Sequence, residues 1–153
     1  MSIMAAKRCD ANVCGHCAQP CVLGTLSSSL RLDLRDFPEL KERHLARGDY
    51  LFHASGAFES LYAVRSGMLK VSVLTEDGRE QITGFFLPGD LVGLDSVGLH
   101  QHASSAGALD DTVVCELPFA LLERHGQSVP RIQAALFRML SGQIRREQST
   151  LLL

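Results

Sequence analysis

The sequence predicts a mainly β domain with flanking helices, its strands closing as a barrel or jelly roll, preceded by a cysteine-bearing arm and followed by a long helix. Three observations predict this. Apolar residues recur with a period near two from Gly48 to Leu117. Cys9, Cys14, Cys17 and Cys21 crowd the first two dozen residues, and after Pro118 the apolar spacing becomes helical.

The arm comes first. From Met1 to about Ser29 the chain is rich in Cys, Ala, Gly and Ser with no sustained period, which suits a segment ordered by what it binds. Cys14, Cys17 and Cys21 form a Cys-x2-Cys-x3-Cys run, and Cys115 stands alone far downstream. Three local thiols and one distant thiol make a four-ligand set. A 4Fe-4S cluster needs four thiolates, and the local ones must lie where the backbone can curl round it. Cys9 is a fifth, and spacing does not choose among the five.

The same thiols admit other readings. The Cys14 and Cys17 pair also suits tetrahedral zinc, with His16 between them as a substitute ligand. Cys115, within Thr112-Val113-Val114-Cys115-Glu116-Leu117, equally suits a small buried hydrophobe. Against a disulfide scaffold stand the odd cysteine count, the chain length and the lack of a continuous apolar stretch before Lys7 and Arg8. A cytoplasmic chain is expected.

Composition bounds the remainder. With 153 residues, 46% apolar and 21% charged, the chain fits one globular domain plus appendages. No apolar run approaches the length that spans a bilayer. Lys and Arg number 15 against 17 Asp and Glu, a net charge of -2, so this chain alone is not expected to grip DNA.

Leu30 to Leu45 reads as a short leucine-bearing helical stretch, with Asp33 or Asp36 as caps and Pro38 breaking or restarting it. The strands follow. Leu61-Tyr62-Ala63-Val64 and Leu69-Lys70-Val71-Ser72-Val73 are typical runs, and Gly48-Asp49, Ser66-Gly67, Asp77-Gly78 and Gly89-Asp90 punctuate them. Thr75 to Arg79 is a hairpin signal, because Gly78 accepts a positive φ.

Val129-Pro130 opens the last helix, since proline suits a first helical turn. Leu136, Leu140, Ile144, Glu147 and Leu151 then follow at steps of four, four, three and four, giving one apolar stripe interrupted by Glu147. Period alone leaves open whether the stripe packs on its own body or on a second copy. The predicted divisions are residues 1–29, 30–125 and 126–153.

Signals for chemistry are weak. His100-Gln101-His102 has the spacing of two histidines facing one metal, but Ala103 to Gly107 supplies no carboxylate to complete a cupin-type set, so loop histidines are expected. No Ser-His-Asp set, phosphate-binding glycine loop or carboxylate pair stands out, and the chain is read as a non-enzyme with no catalytic residues.

Arm, roll and exit helix together resemble the sensory half of the FNR-type oxygen regulators within the CRP/FNR family. The resemblance rests on Ser60-Leu61-Tyr62-Ala63-Val64-Arg65-Ser66-Gly67, Glu80-Gln81-Ile82-Thr83-Gly84-Phe85, Gly89-Asp90-Leu91-Val92-Gly93, Val114-Cys115-Glu116-Leu117-Pro118-Phe119 and Met139-Leu140-Ser141-Gly142. It runs from about residue 48 to the end. It implies a double-stranded jelly roll of the cyclic-nucleotide-binding type and a 4Fe-4S cluster on Cys14, Cys17, Cys21 and Cys115, with Cys9 not ligating. The interval between Cys17 and Cys21 is shorter than the branch usually has.

The resemblance further implies a homodimer in the cluster-bound state, with Leu136, Leu140, Ile144, Glu147 and Leu151 at its interface. Cluster loss in oxygen would weaken it, and paired Glu147 carboxylates would keep the cluster-free dimer weak. DNA and RNA polymerase would be partners only of a longer chain, because the sequence ends in the exit helix where such regulators continue into a helix-turn-helix. A piece of a longer regulator, or a natural truncation acting through mixed dimers, would both account for that. The alternatives are a zinc-binding relative and a small-ligand effector domain. Cyclic nucleotide is not expected, since Gly89-Asp90 is followed by no Arg or Lys from Leu91 through Thr112 to clasp a phosphate.

Overall fold

Eight strands and two helices build the part of the chain that the computed structural model describes, residues 41–128 and 130–152. The strands are β1 (Lys41–Leu45), β2 (Tyr50–Phe52), β3 (Ser60–Ser66), β4 (Leu69–Leu74), β5 (Glu80–Phe86), β6 (Leu91–Val92), β7 (Ser105–Ala108) and β8 (Thr112–Pro118). Two antiparallel sheets result, with orders β1-β8-β3-β6 and β2-β7-β4-β5. Helices α1 (Phe119–Ser128) and α2 (Pro130–Leu151) follow the last strand. This is the predicted mainly β jelly roll with a long terminal helix.

Turn chemistry places the strand ends. Gly48, Gly67, Gly78 and Gly89, the glycines of the four predicted turns, all have positive φ. The β4–β5 hairpin closes through the Thr75 N–H donating to Arg79 O at 2.9 Å and the Gly78 N–H donating to Thr75 O at 2.9 Å. Gly67 is fixed more tightly than the rest. A Cβ there would lie 2.4 Å from Asp111 O and from Thr112 Oγ1, so the β3–β4 turn crosses the start of β8 too closely for any side chain.

The sheets enclose one apolar core and α1 and α2 cover a second. Tyr62, Val64, Val92 and Val114 from the first sheet meet Leu51, Phe52, Leu69, Val71, Ala106 and Ala108 from the other. On the opposite face of the first sheet, Leu61, Ala63, Leu91, Leu94, Cys115 and Leu117 pack with Leu122 of α1. Partly buried Leu136, Met139 and Leu140 of α2 close this outer layer. Strand alternation sends neighbouring residues of β3 and β8 to different cores.

One expectation is corrected. Lys41–Leu45, read as the end of a helix, is β1, paired with β8 from Lys41↔Glu116 to Leu45↔Thr112. Five residues with a single apolar side chain fix no period, and the open edge of β8 supplies backbone partners that a local helix would not. Residues 30 to 40 and the arm cysteines Cys9, Cys14, Cys17 and Cys21 lie outside the described residues. α2 begins at Pro130 as predicted, and the expected division after residue 125 falls within α1. Among the described residues no helix is long and apolar enough to cross a membrane.

Candidate functional site

Cys115 is fully buried near the middle of β8. It stands opposite Glu42 of β1 on one side and Ala63 of β3 on the other. Its neighbours Val114 and Leu117 show why its side chain faces outward: Val114 joins the inter-sheet core, whereas Cys115 and Leu117 join the layer under the helices. The thiol therefore belongs to the cluster against which Leu136, Met139 and Leu140 of α2 pack. Sequence could not assign this side, because Val113, Val114 and Cys115 are consecutive apolar residues.

An ionic group borders it. Glu42, with a side chain only 8% exposed, accepts a short hydrogen bond from Arg65 Nη1, and His44 Nε2 lies 2.7 Å from its other oxygen. Burying a carboxylate is tolerable only with such partners. Sequence reasoning missed this group because β1 was read as helix. Alternation of Glu42 and His44 around Arg43 was the available signal.

On the inner face Tyr62 Oη donates to Glu116 Oε1 at 3.4 Å, and the Arg43 guanidinium lies 5.8 Å from the Tyr62 ring centre. Burial, followed by the nearby Glu116 charge, pushes the Tyr62 hydroxyl above its ordinary pKa.

The histidine pair does not converge. His102 is buried, stacked on Phe52 at 3.7 Å and edge-on to Phe58 at 5.4 Å, while His100 is exposed. His102 Nδ1 has no hydrogen-bond partner among the described residues, and burial holds the ring below its ordinary pKa, opposed by the Asp95 charge. Among the described residues no three His, Cys, Asp or Glu side chains are grouped to hold a metal ion.

The stripe of α2 divides along its length. Leu136 and Leu140 are partly buried against the helix's own roll, whereas Ile144, Glu147 and Leu151 are exposed, as is Phe137. Phe137, Ile144 and Leu151 are spaced by seven, the repeat that keeps one line of a helix toward a partner. Gln143 Nε2 donates to Glu147 Oε1 at 3.3 Å.

A cavity of about 210 Å³ opens between β5, the 3-10 turn at Leu94–Ser96 and the second half of α2. Gly89 and Asp90 lie outside it, at a neighbouring depression, and Asp90 accepts from Arg146 Nη1 at 2.9 Å. Among the described residues Arg146 is the only Lys or Arg lining the cavity, and it comes from the helix, not from the roll.

A roll of this topology, closed by a helix over its outer face, is the architecture of the cyclic nucleotide-binding domain. That family's model matches residues 42–126, and the chain belongs to the family. Within it the relatives are regulators of the CRP/FNR type, as the sequence motifs indicated. The chain is 43% identical over 143 residues to the transcriptional activator protein Anr of Pseudomonas protegens, covering 90% of this chain and 58% of that protein. It is 36% identical over 152 residues to the fumarate and nitrate reduction regulatory protein of Escherichia coli K12, covering 96% of this chain and 61% of that protein. The chain thus spans about three fifths of the length of these curated relatives.

Solved structures agree. FixK2 from Bradyrhizobium japonicum superimposes with a TM-score of 0.68 at 29% identity, over 74% of this chain and 57% of that one. The sensor domain of the regulator DNR from Pseudomonas aeruginosa shares the fold, with a TM-score of 0.62 at 18% identity over 89% and 85% of the two chains. The relatives are transcription regulators, which are not enzymes.

Proposed function

We propose that the chain is the sensory half of an oxygen-responsive transcription regulator, acting in the cytoplasm. Cys14, Cys17, Cys21 and Cys115 would hold a 4Fe-4S cluster. The observation that carries the reading is that Cys115 and the root of α2 share one apolar layer. Whatever binds this thiol acts on the surface that sets the position of Leu136, Met139 and Leu140.

The residues fit such a group. Four thiolates are the donor set it requires. β1 begins one residue before the position opposite Cys115, so Lys41, the first residue of that strand, lies beside this thiol. Nineteen residues lie between Cys21 and Lys41, a tether of up to roughly 70 Å when extended, so reach does not limit the ligand set.

When bound, the cluster would supply an oxygen-labile tie between arm and roll. This chain's residues supply the response. The arm, held at Cys115, would cover the outer layer and bias α2 toward self-association along Phe137, Ile144 and Leu151, and its release would shift the population to monomer. Exposed Glu147 on the same helix would weaken the dimer in the released state. DNA and RNA polymerase would be the partners of the regulator that carries this domain.

Anaerobic reconstitution with iron and sulfide tests the reading. Expected are bound iron and sulfide near a four-to-four ratio, a broad visible absorption bleached by air, and its loss in Ser variants of Cys14, Cys17, Cys21 and Cys115 but not of Cys9. A colourless protein, or one binding zinc alone, would remove the oxygen-sensing assignment.

A further inference from the structure

The cavity between roll and helix has an unusual balance of hydrogen-bonding capacity. Its hydroxyl donors are all engaged: Ser104 Oγ donates to Asp95 Oδ2 at 2.7 Å, Thr83 Oγ1 to Val71 O at 3.3 Å and Thr150 Oγ1 to Arg146 O at 3.0 Å. Gln143 turns its amide nitrogen to Glu147, and Arg146 turns a guanidinium nitrogen to Asp90. Apart from the remaining N–H groups of Arg146, what the lining side chains leave over is mostly acceptor. Gln143 Oε1 is shielded from solvent and has no partner among the described residues. Asp95 and Glu147 add carboxylate lone pairs beyond the contacts they already accept.

Charge points the same way. Two lining carboxylates face one lining guanidinium, and Asp90 already neutralises that guanidinium. An anion placed here would be repelled by both acids and would leave Gln143 Oε1 unsatisfied. Val71, Phe85, Phe86 and Val92 supply an apolar and aromatic wall, which suits the body of an organic cation.

We propose that this cavity binds a small organic cation, a protonated amine or guanidinium on an apolar body, whose N–H groups meet Gln143 Oε1 and the Asp95 and Glu147 carboxylates. The site inverts the charge preference that the family description implies. It draws on α2 residues Gln143, Arg146 and Glu147, so an occupant bridges roll and exit helix without touching Cys115. It is independent of the cluster reading, since none of the four proposed cluster ligands lines it.

The test uses the whole 153-residue chain without iron, so that failure of the cluster assignment leaves the result intact. Backbone amide NMR is followed while phenethylammonium chloride, phenylacetate and cyclic AMP are titrated separately to millimolar levels. Saturable shifts at Gly93, Asp95 and Gln143 are expected with phenethylammonium alone. Gln143→Ala and Asp95→Asn, each checked for an unchanged spectrum elsewhere, should weaken that binding about tenfold. No response to the ammonium, an equal or stronger response to either anion, or wild-type affinity in both variants would overturn the proposal.

Discussion

Arg146 and Asp90, 56 positions apart, meet at 2.9 Å and fasten the second half of α2 to the turn before β6. Asp90 serves that turn too, since its Oδ2 accepts the Leu87 N–H at 2.9 Å. The two ends of the contact are therefore unequal. Arg146→Ala removes only a largely exposed ion pair and should cost under about 1 kcal/mol. Asp90→Ala also opens the turn and should cost about 1–2 kcal/mol more. Urea unfolding of both variants measures the difference; equal costs would mean that the turn does not depend on Asp90.

Cys115 separates packing from ligation. Cys115→Ala leaves a small void in the outer layer and should cost about 1 kcal/mol, whereas Cys115→Ser places a hydroxyl among Leu61, Leu91 and Leu117 and should cost about 1–3 kcal/mol. Both should keep the fold, checked by circular dichroism and urea unfolding. Under the proposed function, both should also lose reconstituted absorption completely.

Acid should loosen the roll through His102. Its folded-state pKa is lowered, mainly by burial, so the unfolded chain binds the proton more readily. The neutral ring's contribution is whole above the unfolded value of about 6.5 and falls as pH drops from there toward the lower folded value. Stability of His102→Phe, measured across that window, should vary less with pH than wild type. A parallel dependence in the variant would assign the effect to other groups.

Under the proposed function, Glu147→Ala should strengthen dimerisation of the cluster-free chain. Two like charges about 4 Å apart in water repel by about 1 kcal/mol, which corresponds to roughly a fivefold change in the dimer constant. Sedimentation equilibrium at matched concentrations reads this directly, and an unchanged constant would take Glu147 off the seam.

Two turn glycines give a contrast within one fold. Both Gly67 and Gly78 have positive φ, yet only Gly67 lies against backbone, at Asp111 and Thr112. Gly78→Ala should cost about 1 kcal/mol. Gly67→Ala must displace the start of β8 as well and should cost at least twice as much by thermal or urea unfolding.

Those glycines also show what the sequence made legible. Gly48, Gly67, Gly78 and Gly89 could be read as turns because a positive φ is a local demand with a local signature. Pro130 marked the start of α2 for the same reason. β1 could not be read so, because its partner β8 lies some seventy residues away and its own five residues carry no period. The outward direction of Cys115, the Glu42–Arg65 contact and the Arg146–Asp90 contact likewise depend on register between distant segments. The stripe on α2 was visible as a line, but not its division into a half that packs on the roll and a half that is exposed.

Val114 and Cys115 are adjacent in β8 and face opposite compartments, one between the sheets and one beneath the helices. Substitutions at either position can thus be sampled with little effect on the other's surroundings. A lineage could exchange the outer residue while leaving the interior intact, or reshape the interior while leaving the thiol in place. Under the proposed function, one strand of seven residues would make the roll a chassis on which unrelated inputs could be fitted to the same helix.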